Sequence, residues 1–160
     1  MTRNDGYELS GDPQRIDIDR VHRWLSTESY WARHRPREVV ARSISRSAVY
    51  GIYRPGDRVQ VAFARAVTDE ATFAWLCDVF VTQTERGHGL GTWLVSSIRD
   101  DLATRGVPRI LLATADAHGV YAKLGFTALA EPSQWMALDC QRPSVTAITR
   151  KDQTQAGPLR

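Results

Sequence analysis

One stretch limits the folds open to this chain more than any other. Residues Thr72 to Val81, TFAWLCDVFV, are almost continuously apolar, and three glycines follow at alternate positions, Gly87, Gly89 and Gly91. A run this apolar predicts a central strand buried on both faces. Beyond the glycines, Trp93, Leu94, Ile98 and Leu102 recur at helical spacing, and Gly106 and Pro108 close the pattern. The expected unit is therefore strand, glycine turn, helix. The first amides of a helix have no intrahelical partner, and its dipole places partial positive charge at the same end. Glycines there let an anion approach those amides, and Arg86 adds a cation at the loop entrance. The Walker pattern is broken, because Thr92 follows Gly91 with no lysine between them. The dinucleotide pattern G-x-G-x-x-G fails as well, since the spacing is G-x-G-x-G.

The rest of the chain supplies the frame. GYELS reads as a short first strand, and Asp17 or Asp19 caps a helix through Val21, Trp24 and Leu25. ESYWARHRP breaks that helix, and Pro36 suits the first turn of a second one carrying Val39, Val40 and Ile44. SAVYGIY and RVQVAFARAV flank Pro55-Gly56-Asp57 and predict a hairpin. RILLATA reads as a strand, HGVYAKLGF as a short helix ended by Gly125, and FTALA and WMALD as two closing strands. The order β-α-α-β-β-β-α-β-α-β-β predicts an α/β (α+β) fold with a mixed sheet. A single domain over 1–141 is expected, with a polar tail over 142–160.

Composition serves mainly to exclude. The formal net charge is +3, and Lys123 and Lys151 are the only lysines. The arginines from Arg15 to Arg46 are interleaved with acids and aromatics, with no nucleic-acid-binding motif. No apolar run approaches a membrane span, and the first residues lack a signal peptide's apolar core. Cys77 and Cys140 are the only cysteines and show no metal-ligand spacing. These features predict a cytoplasmic protein with no metal, no nucleic-acid partner and no membrane association. Monomer and homodimer both stay open.

Arg86-Gly87-His88-Gly89-Leu90-Gly91 resembles the R/Q-x-x-G-x-G/A signature of the GNAT superfamily of acyl-CoA-dependent N-acyltransferases. Tyr121-Ala122-Lys123-Leu124-Gly125-Phe126 is similar to its Y-x-K-x-G-F ending, and the resemblance spans Tyr7 to Asp139. It implies acetyl-CoA as co-substrate. The pyrophosphate would lie on the amides of Arg86, Gly87, His88, Gly89, Leu90, Gly91 and Thr92, and the pantetheine arm would pair with the backbone of Val79, Phe80 and Val81. It also implies Tyr121 as the acid that protonates the leaving thiolate, against a packing role on the last helix.

The residues add candidates of their own. Asp78 interrupts the apolar run, where an unpaired carboxylate is costly. Strict alternation puts it on the face of Leu76 and Phe80, opposite Cys77 and Val79. A catalytic base, an ammonium binder, and a structural ion pair with an arginine such as Arg65 are all open readings. Because Cys77 is expected to point away, direct transfer in a ternary complex is favoured over an acetyl-cysteine route. His118 is a second base candidate, acting through water. In the resembled superfamily the link between the first two helices walls the acceptor site. Here that link carries Tyr30, Trp31 and Arg33, suited to a small-molecule amine with an acidic or aromatic part. Phe73 and Trp75 are expected in the core. The expected function is N-acetyl transfer to such an amine, and the alternative is a non-catalytic acyl-CoA-binding module. A nucleotide-binding protein is a third class, distinguished by preference for ATP.

Overall fold

The computed structural model describes residues 1–138. The chain divides into two units, Met1–Thr127 and Ala128–Arg160. In the second, the described residues form a single 3-10 turn at Pro132–Gln134. The expected boundary near residue 141 and the tail over 142–160 lie outside the described residues.

The first unit is built on a five-stranded sheet in the order β1-β2-β3-β4-β5. β1 (Glu8–Ser10), β2 (Ala48–Tyr53), β3 (Gln60–Thr68) and β4 (Ala74–Val81) run antiparallel to their neighbours, and β5 (Ile110–Leu111) joins β4 in parallel. The sheet is therefore mixed, as the element order predicts. α1 (Ile18–Arg23) starts at Asp17, whose carboxylate accepts from the Arg20 amide, and continues into a π-helical turn at Trp24–Glu28. Pro36 stands just outside α2 (Arg37–Ile44) and serves as its N-cap. α3 (Leu90–Thr104) and α4 (His118–Ala122) complete the unit. Among the described residues no helix is long and apolar enough to cross a membrane.

Two apolar layers hold the sheet. On one face Leu90, Leu94, Val95, Ile98 and Leu102 of α3 pack over Ala62, Ala64, Ala66, Ala74 and Leu76. The small β3 side chains let the helix lie close to the strand. On the other face Val21, Trp24, Leu25, Val40 and Ile44 cover Val49, Phe63 and Phe80. Burying each large apolar side chain contributes roughly 1.5–3 kcal/mol.

Three expectations need correction. RILLATA forms a strand only at Ile110–Leu111. FTALA and WMALD form no strand over their described residues, and Asp139 lies outside them. The physical reason is that no buried face fixes a register: Leu129, Trp135, Met136 and Leu138 are all exposed rather than alternately buried. The short β5 has a further consequence. β4 and β5 pair only at Ala74–Ile110 and Trp75–Leu111, so beyond Trp75 β4 has no strand on that side among the described residues.

Candidate active site

The open side of β4 coincides with a break in its regularity. On β3, Phe63 faces Phe80 and Arg65 faces Cys77, so Ala64 alone opposes both Asp78 and Val79. This is a β-bulge, and Asp78 takes the left-handed conformation it requires, at φ 53°. A non-glycine residue there costs on the order of 1–2 kcal/mol. The bulge inverts the strand's phase. Ala74 and Leu76 point to the α3 layer, whereas Phe80 points to the opposite layer and stacks on Trp24 with ring centroids 5.2 Å apart. Val79 and Val81 now pack towards α3. Strict alternation therefore misplaces Asp78: Leu76 and Phe80 do not share a face. Cys77 is the register partner of Arg65, and Asp78 is its ion-pair partner, so the expected separation of Cys77 from Asp78 does not hold either.

The Asp78 side chain is only 2% exposed. It accepts from Arg65 Nε at 2.7 Å, Arg35 Nη1 at 2.8 Å and Trp31 Nε1 at 3.2 Å. Three donors from β3 and the α1–α2 link thus converge on one carboxylate, and this offsets the local backbone cost.

The glycine loop leaves the end of β4 through a 3-10 turn at Gln83–Glu85. Arg86 folds back, donating from Nε to the Val81 carbonyl at 3.1 Å. Gly87 and Gly89 sit at φ 86° and 70°, which favours glycine, and Gly89 caps α3 without a side chain. Among the described residues the amides of residues 87–92 have no acceptor; the first bond into α3 runs from the Trp93 amide to the Gly89 carbonyl. A row of free donors at the start of a 15-residue helix fits a pyrophosphate.

Beneath the loop, the buried carboxylate of Glu85 accepts from the Tyr7 hydroxyl and from Arg54 Nη1 at 3.2 Å. The His88 carbonyl accepts from Arg3 Nη1 at 3.0 Å, and the His88 side chain is exposed. Sequence reading missed Arg3, Tyr7, Arg54 and Glu85. Nothing in the local glycine pattern signals that β1 and the β2–β3 turn brace it.

Across the splay, Tyr30 and Trp31 meet edge to face at 5.0 Å. The Tyr30 hydroxyl donates to Asp116 Oδ1 at 3.2 Å and accepts from the Ala115 amide at 3.1 Å, tying the α1–α2 link to the β5–α4 link. Tyr121 is half-buried on the α3 side with its ring 5.7 Å from Phe126. Burial above all, then the charges of Tyr30 and Asp116, raise its hydroxyl above the usual tyrosine range. His118 opens α4 on the surface, and Arg33 is exposed. Phe73 and Trp75 are 39% and 38% exposed, not core as expected, because α1 and α2 stop short of that end of the sheet. Burial also raises the Cys77 thiol, so it is protonated rather than an activated nucleophile.

A strand that parts from one neighbour and then bulges against the other, followed by a glycine loop of free amides, defines an acyltransferase-like site. The family model described as the acetyltransferase (GNAT) family matches residues 18–126. A GNAT-family protein of Xanthomonas campestris, known from a crystal structure, is 38% identical; the match covers 87% of this chain and 95% of that one with a TM-score of 0.79. A Gibberella zeae protein is 29% identical over 142 residues, 76% of this chain and 78% of the relative. Both carry the name "putative acetyltransferase". A Clostridium acetobutylicum protein whose structure was solved with acetyl-CoA shares the fold, with 17% identity, a TM-score of 0.63, and coverage of 84% and 95%. The chain belongs to the GNAT acetyltransferase family.

Proposed function

We propose that this protein is an N-acetyltransferase that moves the acetyl group of acetyl-CoA directly to the amine of a small molecule in a ternary complex. The observation that carries this is the run of unpartnered amides over residues 87–92 beside the free edge of β4. The amides take the pyrophosphate, and the backbone of Val79, Phe80 and Val81 takes the pantetheine arm as an added strand. A backbone N–H at Val79 or Val81 then meets the thioester oxygen as it gains charge. The amine nitrogen bonds to the carbonyl carbon as the carbon–sulfur bond breaks. Tyr121, kept protonated by its burial, donates its proton to the thiolate.

Asp78 is assigned here to positioning: three donors already occupy its carboxylate, and it holds Trp31 and Arg35 against the bulge. His118, exposed at the start of α4, is the group left to accept the amine's proton through water.

The test is thermal unfolding with acetyl-CoA, CoA and ATP at matched concentration. At about a hundred times its dissociation constant a ligand stabilises the native state by roughly 2.7 kcal/mol. Both coenzymes are expected to raise the midpoint and ATP is not, after which thiol release is screened over amines. No shift with either coenzyme overturns the assignment. A shift with no thiol release on any amine favours a non-catalytic binder.

A further inference from the structure

The acceptor side holds charge and apolar surface that the transfer chemistry does not use. Asp78 is one carboxylate facing two guanidiniums, Arg35 and Arg65, whose side chains are mostly buried. Among the described residues no other carboxylate lies within ion-pair distance of either arginine. Arg35 donates from Nη1 alone, and Arg65 donates from Nε to Asp78 and from Nη1 to Ser47 Oγ at 3.2 Å. One positive charge and several guanidinium donors are left over in a partly desolvated place, where a second carboxylate would be held strongly.

The same sheet face continues into an apolar strip. Arg65 pairs with Cys77 and, one two-residue step along, Val67 pairs with Trp75, which also faces Leu111 on β5. Phe63 and Phe80 on this face lie under α1 and α2, whereas Val67 and Trp75 remain open. That step spans about 7 Å, so one amino-acid-sized molecule reaches from the guanidiniums to the indole. Both features lie just before the bulge at Asp78–Val79, along the stretch where β4, past Trp75, has no β5 partner among the described residues.

We infer that Arg35 and Arg65 hold a carboxylate of the acceptor and that Val67 and Trp75 hold its body, so that the acceptor is the α-amino group of an aromatic or branched apolar amino acid. This rests on the acetyltransferase reading above. The amine beside the bound carboxylate is directed at the bulge. Its nitrogen forms the amide bond as the carbon–sulfur bond breaks, the nitrogen sheds a proton through water to His118, and the thiolate takes one from Tyr121. No further reactant is needed.

The experiment measures thiol release by the full chain at saturating acetyl-CoA with L-phenylalanine, L-tryptophan and L-leucine. Phenethylamine is the control without the carboxylate, and glycine the control without the apolar body. The expected kcat/KM for the best of the three exceeds both controls by about tenfold or more. Arg35→Gln should bring the phenylalanine-to-phenethylamine ratio towards one, and Trp75→Ala the phenylalanine-to-glycine ratio, chiefly through KM. Each ratio is taken within one variant, so loss of folded protein does not move it. Equal rates on phenethylamine, no rate on any of the amino acids, or ratios unmoved by the two variants overturn the inference. The acetyl-CoA midpoint shift separates the two levels. If it persists, only the acceptor class falls; if it is absent, the acetyltransferase reading falls and takes this inference with it.

Discussion

A methyl group added at Gly89 and one added at Gly91 meet different obstacles. Gly89 is at φ 70°, and the atom nearest to a Cβ placed there is Arg3 Nη1 at 3.9 Å, so space is available but the conformation is wrong for an L side chain. Gly91 lies inside α3, and its Cβ would make an ordinary contact with Val81 Cγ2 at 3.7 Å. Gly89→Ala is therefore expected to lower stability by roughly 1–2 kcal/mol in urea unfolding. Gly91→Ala should leave unfolding unchanged or slightly improved, since alanine is the better helix former. Its effect should appear instead as a smaller midpoint shift with acetyl-CoA. Normal coenzyme binding by Gly91→Ala would remove the ligand as the reason for the third glycine. The motif reads all three glycines as one feature, whereas the backbone separates two that the turn demands from one that it does not.

At the scale of the strand, the bulge in β4 decides what Asp78 does. Because its carboxylate neutralises buried guanidiniums, Asp78→Ala should destabilise the protein by about 3–5 kcal/mol, measured by urea unfolding. Asp78→Asn keeps the shape but only one acceptor oxygen, and should fall between it and the native chain. A variant stable as the native chain but inactive would instead restore Asp78 as a base. The apolar run and the hairpin turn are legible because each is written in contiguous residues, and the cap of the first helix is legible to within Asp17 or Asp19. The bulge is not, because it depends on how many β3 residues oppose β4, and one unpaired residue reverses every inward assignment after it. The meeting of Arg35, Arg65 and Asp78 is hidden for a related reason: the three stand on different elements, and sequence alone suggests an arginine such as Arg65 without bringing Arg35 to it. Trp75 departs from its expected place in the core because apolar character in a central strand normally implies cover, and here the helices end too soon. FTALA and WMALD have the alternation of strands, but Leu129, Trp135, Met136 and Leu138 are exposed, so no buried face answers to it.

For the molecule as a whole, the far side of the sheet sets an alkaline limit. Burial pushes the Tyr53 hydroxyl, which donates to the Arg15 carbonyl at 2.7 Å, up to about 12. Burial and its hydrogen bond to Asp101 raise Tyr50 as well. A raised tyrosine means that the folded state keeps a proton the unfolded state releases near pH 10. Its stabilisation is complete below that pH and is lost as the pH climbs through the folded value, by about 2–3 kcal/mol for Tyr53. Urea midpoints should fall more steeply above about pH 10 than between pH 8 and 10, with a shallower fall in Tyr53→Phe; an unchanged slope in that variant would exclude the assignment. The parting of β4 from β5 has its own consequence at this scale. Among the described residues it leaves a length of unpaired strand, the kind of backbone surface on which another chain can template itself. If acetyl-CoA supplies the missing strand, the coenzyme also shields the protein from self-association. Preparations depleted of it should then be the first to aggregate on warming or storage.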